Sequence, residues 1–150
     1  MSLLEIRESP GRGRGLFAKQ KIPSRTTIEV SPVLVLDAQS WRENGQHTVL
    51  NHYCFVWRDQ PRGSPVSMAL ALGMGSIFNH RKDPSVGWVC DIDSQVIRYI
   101  TLREVEEGEE LFICYGRDLW FTDTDAGEVS SEENEEDFKC HLAALGDINS

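Results

Sequence analysis

Two hydrogen-bonding side chains, Asn79 and His80, stand side by side where the apolar run of LALGMGSIFNHRKDPSVGW ends. We expect the apolar residues of that run to be buried. They are Leu72, Met74, Ile77 and Phe78. Polar groups that follow directly on a buried run need hydrogen-bonding partners, so both side chains are candidates for a functional role. None of the four histidines stands at metal-ligand spacing from another His, Cys or carboxylate, and no metal site is predicted.

A tyrosine hydroxyl is the second candidate. The sequence EVEEGEELFICYG is typical of a polar turn followed by an apolar strand, which ends on Tyr115 just before Gly116. A tyrosine buried at that position needs a partner for its hydroxyl group. Taken alone, the pattern fits either a core tyrosine or a hydroxyl positioned in an active site.

Three aromatic residues alternate in NHYCFVW: Tyr53, Phe55 and Trp57. Alternate residues of a β-strand share one face, so this spacing predicts an aromatic face. Such a face is either part of the core or the wall of a channel for a cation or an alkyl chain.

Glycine alternates with arginine in PGRGRGLFA. Glycine permits positive φ and a close approach of a ligand to the backbone, which we expect at Gly13 and Gly15. No G-K-[ST] follows, and the flanking pattern does not fit a dinucleotide-binding turn. A hairpin entry or an arginine-rich turn is the alternative, whereas a single short copy in an acidic chain argues against an RNA-binding tract.

Composition narrows the class of protein. A chain of 150 residues is most simply read as one domain that folds without disulfide bonds or a structural metal. Its four cysteines are widely spaced, which predicts neither a zinc site nor a disulfide framework and favours a reducing, intracellular compartment. No run approaches the ~20 apolar residues that span a bilayer, and no secretory signal is recognisable, so a soluble protein without membrane association is expected.

The acidity is concentrated in one segment. The net charge is −9, yet residues 1–121 carry 14 bases against 15 acids, while residues 122–137 hold eight acids and no Lys or Arg. This segment is typical of a solvated or disordered linker, and the alternative is an attractor for a basic partner. Direct binding to nucleic acid is not expected, because no basic footprint is visible.

Short strands must position these candidates. The runs GLFAKQKI, TTIEVSPVLVL, HYCFVW and EELFICYG favour β-structure, and GWVCDIDSQVIRYITL predicts a hairpin around a polar turn. Pro32 is expected to place its run at a sheet edge or to divide it into two strands. One helix is predicted within Ala38 to Leu50. A second, near the C-terminus, is indicated by the spacing of Phe138, Leu142 and Leu145.

In chain order, GRGRGLFA, GMGSIFNHRKDPSV and EVEEGEELFICYG resemble the SET domain, the fold of protein-lysine methyltransferases. The resemblance covers about residues 3 to 120. It implies a mainly β fold of several short sheets around a pseudoknot, in which the segment of Asn79 and His80 tucks beneath the strand of Tyr115. Accessory helices, one of them at the C-terminus, complete the expected fold.

The resemblance implies a site for S-adenosylmethionine (SAM), whose product is S-adenosylhomocysteine (SAH), and no metal. Asn79 would accept a hydrogen bond from the amino group of the cofactor, and the backbone at His80 would pair with the adenine edge. Trp120 would stack on the adenine. The methionine part would be held by the backbone of Gly13, Arg14 and Gly15.

The same resemblance implies a catalytic Tyr115, which also contacts the cofactor, and a catalytic Tyr53. The channel for the substrate lysine would be lined by Tyr53, Phe55, Trp88 and Ile113. Ile113 stands where an aromatic residue often tunes how many methyl groups are added.

Several positions depart from the family pattern. Arg81, Lys82 and Ser85 stand where a small residue, Cys and Asn are frequent, and Cys114 replaces an Asp that often precedes the tyrosine. No cysteine-rich zinc segment flanks the domain. The chain therefore resembles the compact, stand-alone members of the family.

The resemblance predicts a SAM-dependent protein-lysine N-methyltransferase that acts on a basic protein, with the tail of histone H3 as the first substrate considered. A non-histone substrate and an inactive SET module that binds a peptide or partner are the alternatives. A chromatin regulator of this kind belongs in the nucleus, with the cytoplasm as the alternative location.

Three segments follow from these observations. Residues 1–121 are expected to form the SET domain, and residues 122–137 an acidic linker. Residues 138–150 are expected to form an amphipathic helix that packs on the domain or, in a homodimer, on a partner subunit.

Overall fold

The computed structural model describes residues 2–114. Tyr115, Trp120, the acidic segment and the predicted C-terminal helix lie outside the described residues. Within residues 2–114 the chain forms nine strands, one α-helix and three short 3₁₀ helices. The prediction of a mainly β protein is confirmed.

The strands and helices have the following bounds. The strands are β1 (Leu4–Ser9), β2 (Gly13–Ala18), β3 (Thr27–Leu36), β4 (Cys54–Trp57), β5 (Ser67–Ala71), β6 (Asn79–His80), β7 (Val86–Asp91), β8 (Val96–Thr101) and β9 (Glu110–Ile113). The helix is α1 (Ala38–Glu43), and the 3₁₀ helices are Gly45–His47, Val49–His52 and Gly73–Ser76. β7 and β8 form the hairpin that the sequence predicted.

Two compact units divide the described residues. The first contains the residues up to Ile28, the segment Ile77–Val89 and the residues from Tyr99 onward. The second contains Glu29–Ser76 and Cys90–Arg98. The hairpin of β7 and β8 thus contributes residues to both units, its tip to the second.

The first unit is organised by a four-stranded sheet in the order β1-β2-β9-β6. β1 and β2 form an antiparallel hairpin, and β2 also pairs antiparallel with β9 through Leu16 with Leu111. β6 pairs parallel with β9, Asn79 with Phe112 and His80 with Ile113. The segment of Asn79 and His80 therefore lies beside β9 in the same sheet, at its edge.

One face of this sheet is buried in an aliphatic core. Leu16, Leu111 and Ile113 are fully buried. Phe78, directly before β6, is also buried and stacks on Tyr99 with 4.7 Å between ring centroids. The apolar residue next to Asn79 is thus anchored in the core, which holds the short strand in place.

The second unit contains β4, β5 and β3 in that order. Leu70 of β5 lies between Leu34 of β3 and Cys54 of β4. One face of these strands is buried, with Ala69, Ala71, Phe55 and Trp57 at 6% exposure or less. The opposite face is apolar yet open to solvent, because four of its residues are 42–55% exposed. They are Val30, Leu34, Val56 and Leu72.

The expectation for Pro32 is wrong, because β3 is one continuous strand with partners on both sides. The carbonyl of Pro32 accepts a hydrogen bond from Leu72 N (2.8 Å), and Val33 N donates to Gln95 O (3.1 Å). Pro32 lies opposite Leu72, one residue beyond the end of β5. The amide that proline lacks would therefore fall at the end of the ladder, where its loss costs little.

The predicted helix over Ala38 to Leu50 is shorter than expected. The helix runs from Ala38 to Glu43 and is capped by Asp37, whose Oδ1 accepts from Ser40 N (2.7 Å). Asn44 leaves the helical region at φ −131°. Thr48 then caps a separate 3₁₀ helix by accepting from Leu50 N (3.1 Å). Side-chain caps thus divide the segment into short turns.

Two further expectations are corrected. Leu72 is 44% exposed rather than buried, because it follows the end of β5 and precedes the reversal at Gly73, which has φ +71°. Tyr53 does not share the face of Phe55 and Trp57, because it ends a 3₁₀ helix at ψ −20° and β4 begins only at Cys54. Tyr53 is 42% exposed, whereas the other two aromatic side chains are buried.

We expect Thr101→Val to destabilise the protein by about 1–3 kcal/mol, because it removes both hydrogen bonds of a buried hydroxyl and leaves Thr26 N without this acceptor. The fully buried Thr101 Oγ1 donates to Pro23 O and accepts from Thr26 N, both at 2.8 Å. Urea unfolding measures the change. The matched control is Thr26→Val, which removes a 2.8 Å hydrogen bond to the same carbonyl from a partly exposed hydroxyl. Equal costs for both variants would contradict the assignment.

Candidate active site

The first candidate segment lies on β2 and uses its two glycines differently. Gly13 has φ +75° and opens β2 after a tight turn in which Arg12 N donates to Ser9 O (3.0 Å). Gly13 is thus a hairpin entry, one of the two interpretations that the sequence allowed. Gly15 does not have the positive φ that was expected.

Gly15 is required for space instead. A Cβ atom built on Gly15 would lie 2.9 Å from Asn79 Nδ2 and would collide with the carboxylate of Glu110. Contacts this short require the neighbouring atoms to move. Because Gly15 has no side chain, the hydrogen bond between Asn79 on β6 and Glu110 on β9 can lie directly over the backbone of β2.

The Asn79 carboxamide makes that contact. Its Nδ2 donates to Arg14 O at 2.9 Å and to Glu110 Oε1 at 2.8 Å. Both neighbours of Nδ2 are hydrogen-bond acceptors, which fixes the orientation of the amide and directs Oδ1 to the other side. Asn79 therefore offers an acceptor from the position where the sequence predicted one.

Glu110 and Ser9 are site residues that the sequence analysis did not identify. Ser9 Oγ donates to Glu110 Oε2 at 2.9 Å, and Ser9 is 2% exposed. The signal was present in EEL, where a carboxylate begins an otherwise apolar strand. Its meaning depends on the assembled sheet, because Ser9 pairs with Gly13 and Glu110 with Phe17, and only their side chains meet across β2.

The backbone of His80 lies along the outer side of the sheet. β6 is the last strand of the order β1-β2-β9-β6, and Arg81 N rather than His80 N donates to Ile113 O (2.9 Å). In a β-strand the backbone groups of successive residues point to opposite sides, so those of His80 point away from β9. The residue as a whole is 4% exposed.

Trp88 contacts the chain directly before Tyr115. The indole Nε1 of Trp88 donates to Cys114 O at 3.2 Å. Ile113 is fully buried, Cys114 is 6% exposed and Trp88 is partly exposed. The structure therefore places Trp88 beside Cys114, the residue that follows Ile113 at the end of β9.

Two arginines flank Phe112 on β9. The guanidinium carbons of Arg12 and Arg81 lie 5.1 Å and 5.3 Å from the centroid of its ring. Cations at this distance are attracted to the face of an aromatic ring. Arg81, which departs from the family pattern, thus has a structural partner in the first unit.

The remaining predicted site residues are not brought into this group by the described structure. Tyr53 and Phe55 belong to the second unit, where Tyr53 is 42% exposed and Phe55 is 6% exposed. Tyr115 and Trp120 lie outside the described residues. Their assignments stay predictions.

Two of the described thiols, those of Cys54 and Cys90, are not activated. Burial raises the pKa of Cys54 and of Cys90 to about 11, so both thiols are protonated near neutral pH. Near the site, the ion pair with Arg103 lowers the pKa of Glu109. Among residues 2–114 no three His, Cys, Asp or Glu side chains form a group that holds a metal ion. No helix in this part of the chain is long and apolar enough to cross a membrane.

Comparisons with known proteins place these features in one family. The family model described as "SET domain" matches residues 13–116. A Schizosaccharomyces pombe protein named "Histone-lysine N-methyltransferase, H3 lysine-37 specific" is 46% identical over 146 residues, which cover 96% of this chain and 95% of that protein.

Two solved structures share the fold. One is from Plasmodium falciparum and is described as that of a histone methyltransferase; it is 21% identical, with a TM-score of 0.61, over 81% of this chain and 99% of that chain. The other is CpSET8 from Cryptosporidium, which is 18% identical, with a TM-score of 0.58, over 79% of this chain and 59% of that chain. At this identity the likeness concerns the fold alone.

The three sequence motifs lie on β2, β6 and β9 of one sheet, and the family model spans all three. The predicted SET fold is therefore confirmed, and the chain belongs to the SET-domain family.

Proposed function

We propose that this chain is a SAM-dependent protein-lysine N-methyltransferase that modifies histone H3, with lysine 37 as its target. The observation that carries the proposal is the 46% identity to a protein named for that specificity, which extends over nearly the full length of both chains. Such coverage includes the substrate-binding part of the domain as well as its cofactor-binding part. A chromatin substrate also implies the nucleus as its place of action.

The geometry around Asn79 fits the amino end of the cofactor. SAM, when bound, supplies a methyl group on a positively charged sulfur. Asn79 Oδ1 is oriented as an acceptor, and the Arg14 carbonyl lies within hydrogen-bond distance of the same side chain. Gly15 leaves this region without a side chain. An ammonium group finds acceptors and no competing cationic donor in this network, which supports the assignment of Gly13, Arg14, Gly15 and Asn79 to cofactor binding.

The outer side of β6 suits the adenine. The backbone groups of His80 face away from β9, and an amide beside a carbonyl can pair with the edge of a base. We assign the stacking of the adenine ring to Trp120. The cofactor would then lie along β6, with its amino end at Asn79 and its base at His80.

The substrate amine must lose its proton before it can attack, although the unperturbed pKa of lysine is about 10.4. An apolar channel lowers that pKa because it disfavours the charged form. We assign this channel to Trp88, Ile113, Tyr53 and Phe55. The hydroxyl of Tyr115 would orient the amine in line with the methyl group, so that catalysis depends on position and fixed dipoles.

Two alternatives remain distinguishable by experiment. A non-histone substrate would leave the cofactor chemistry unchanged and move the methyl mark to another protein. An inactive SET module would bind a peptide or partner without turnover. The near-neutral body and the acidic segment 122–137 suit a basic protein substrate in either case.

We expect the chain to transfer labelled methyl groups to nucleosomes, and mass spectrometry to place them on lysine 37 of histone H3. Histone H3 with arginine at that position should lose the label. Tyr115→Phe should lower kcat by about 10²-fold or more, because one positioned hydroxyl is removed from the transition state. Transfer to another protein would contradict the substrate, and no transfer to any histone or cell extract would contradict the activity.

We expect Gly15→Ala to weaken SAH binding by about 10-fold or more, because the added methyl group displaces the hydrogen bonds of Asn79. Gly11→Ala is the matched control. Gly11 has φ +74° and open space around its Cβ position, so the substitution costs roughly 1 kcal/mol of stability without reaching the site. Calorimetric titration with SAH measures binding, and equal affinities of the two variants would contradict the role of Gly15.

The exposed apolar face of the second unit gives residues 138–150 a surface. We propose that this segment forms the amphipathic helix and covers that face, with residues 1–121 as the SET domain and residues 122–137 as the linker. The 23 residues from 115 to 137 span up to roughly 80 Å when extended, which exceeds the dimensions of a domain of this size. The apolar spacing of Phe138, Leu142 and Leu145 matches an apolar partner.

Deletion of residues 138–150 tests this proposal. We expect the shortened chain to have the mass of a monomer, as the full chain does. The binding of a hydrophobic dye should rise, because Leu34 and its neighbours are no longer covered. Leu34→Ser should reverse most of that rise. A fall from dimer to monomer on deletion would show that the helix packs on a partner subunit instead. Unchanged mass and unchanged dye binding would overturn both.

A further inference from the structure

We propose that Glu110 is a positioning residue, which holds the Asn79 carboxamide with its oxygen toward the ammonium group of the cofactor. The inference rests on the proposed function and extends it to residues that carry no assigned role. It is based on the network of Ser9, Glu110, Asn79 and Arg14 in the first unit.

A carboxamide can be turned over so that its oxygen and nitrogen exchange places, and only its neighbours decide between the two orientations. In the first unit both hydrogens of Asn79 Nδ2 are used, one by Arg14 O and one by Glu110 Oε1. The turned amide would place Oδ1 against a carbonyl and a carboxylate oxygen. The arrangement therefore selects the orientation that presents an acceptor.

Glu110 contributes more to this selection than Arg14 does. A hydrogen bond to a carboxylate is about twice as strong as one between neutral groups. The carboxylate is itself held, because Ser9 Oγ donates to its second oxygen at 2.9 Å and Ser9 is 2% exposed. A side chain that is fixed at both oxygens can fix the amide it contacts.

The glycine on β2 leaves room for this network to cross the strand. Phe17 of β2 pairs with Glu110, and Arg7 of β1 pairs with Gly15, so the network crosses β2 between its neighbours β1 and β9. Any side chain at Gly15 would occupy the same volume as the Glu110 carboxylate. The Glu110 carboxylate can therefore take this position only because residue 15 is a glycine.

Two other roles for Glu110 would have different signatures. If its negative charge attracted the ammonium group directly, a neutral residue of the same shape could not replace it. If it only stabilised the sheet, its loss would weaken every ligand equally. The positioning role predicts that the loss is confined to ligands that carry the amino group and that glutamine restores them, since its Oε1 can still accept from Asn79.

The experiment compares two ligands on the full chain by calorimetric titration: SAH, and an SAH analogue with hydrogen in place of the α-amino group. We expect Glu110→Ala to weaken SAH binding by about 10- to 100-fold and to change analogue binding by about 2-fold or less. Glu110→Gln should bring SAH binding back to within about 3-fold of the unmodified chain. The matched control is Glu109→Ala, which removes the neighbouring carboxylate, an ion-pair partner of Arg103, and should leave both ligands unaffected.

Ser9→Ala provides a second variant, which keeps the carboxylate but releases one of its oxygens. It should weaken SAH binding in the same direction and by a smaller factor, again without affecting the analogue, so the inference stays testable if Glu110→Ala does not fold. Equal losses for both ligands, or a Glu110→Gln variant as weak as Glu110→Ala, would overturn the positioning role. SAH binding that all of these variants leave unchanged overturns this inference alone, whereas a chain that binds no SAH overturns the proposed function as well.

Discussion

The site of this protein depends on a parallel pairing only two residues long, between β6 and β9. The two strands are separated by 29 residues in the sequence, so neither local turn chemistry nor propensity can join them. Burial of Phe78 against Tyr99 on one side and the bond from Arg81 N to Ile113 O on the other hold the pair in register. A slip of one residue would turn Asn79 away from Arg14 and Glu110.

The second constraint is that β2 carries no side chain at Gly15. A sheet whose core face carries Leu16 and Leu111 would ordinarily carry side chains on its other face as well. Gly15 has no side chain, and the space over it is occupied by the hydrogen-bonded side chains of Asn79 and Glu110. Backbone and carboxylate can therefore approach each other closely enough to hold one amide in a single orientation.

The sequence predicted what local patterns encode. The hairpin of β7 and β8 and the strand β9 follow from alternation and turn residues, whereas the roles of the three site motifs rest on the resemblance to the SET domain. The Ser9–Glu110 contact could not be predicted, because it depends on the register of three strands. Pro32 was misplaced because only the length of β5 shows that its missing amide falls at the end of a ladder. Tyr53 was misplaced because a 3₁₀ helix extends up to it, so the alternation of the strand begins only at Cys54.

The same sheet explains why Arg81 is tolerated where the family often has a small residue. Glu110 and Phe112 are two residues apart on β9 and share a face. Phe112 is 8% exposed, and the guanidinium groups of Arg12 and Arg81 lie over its ring. The guanidinium of Arg81 is thus directed toward Phe112. The long side chain at position 81 thus has a packing partner on β9, beside the network of Glu110 and Asn79.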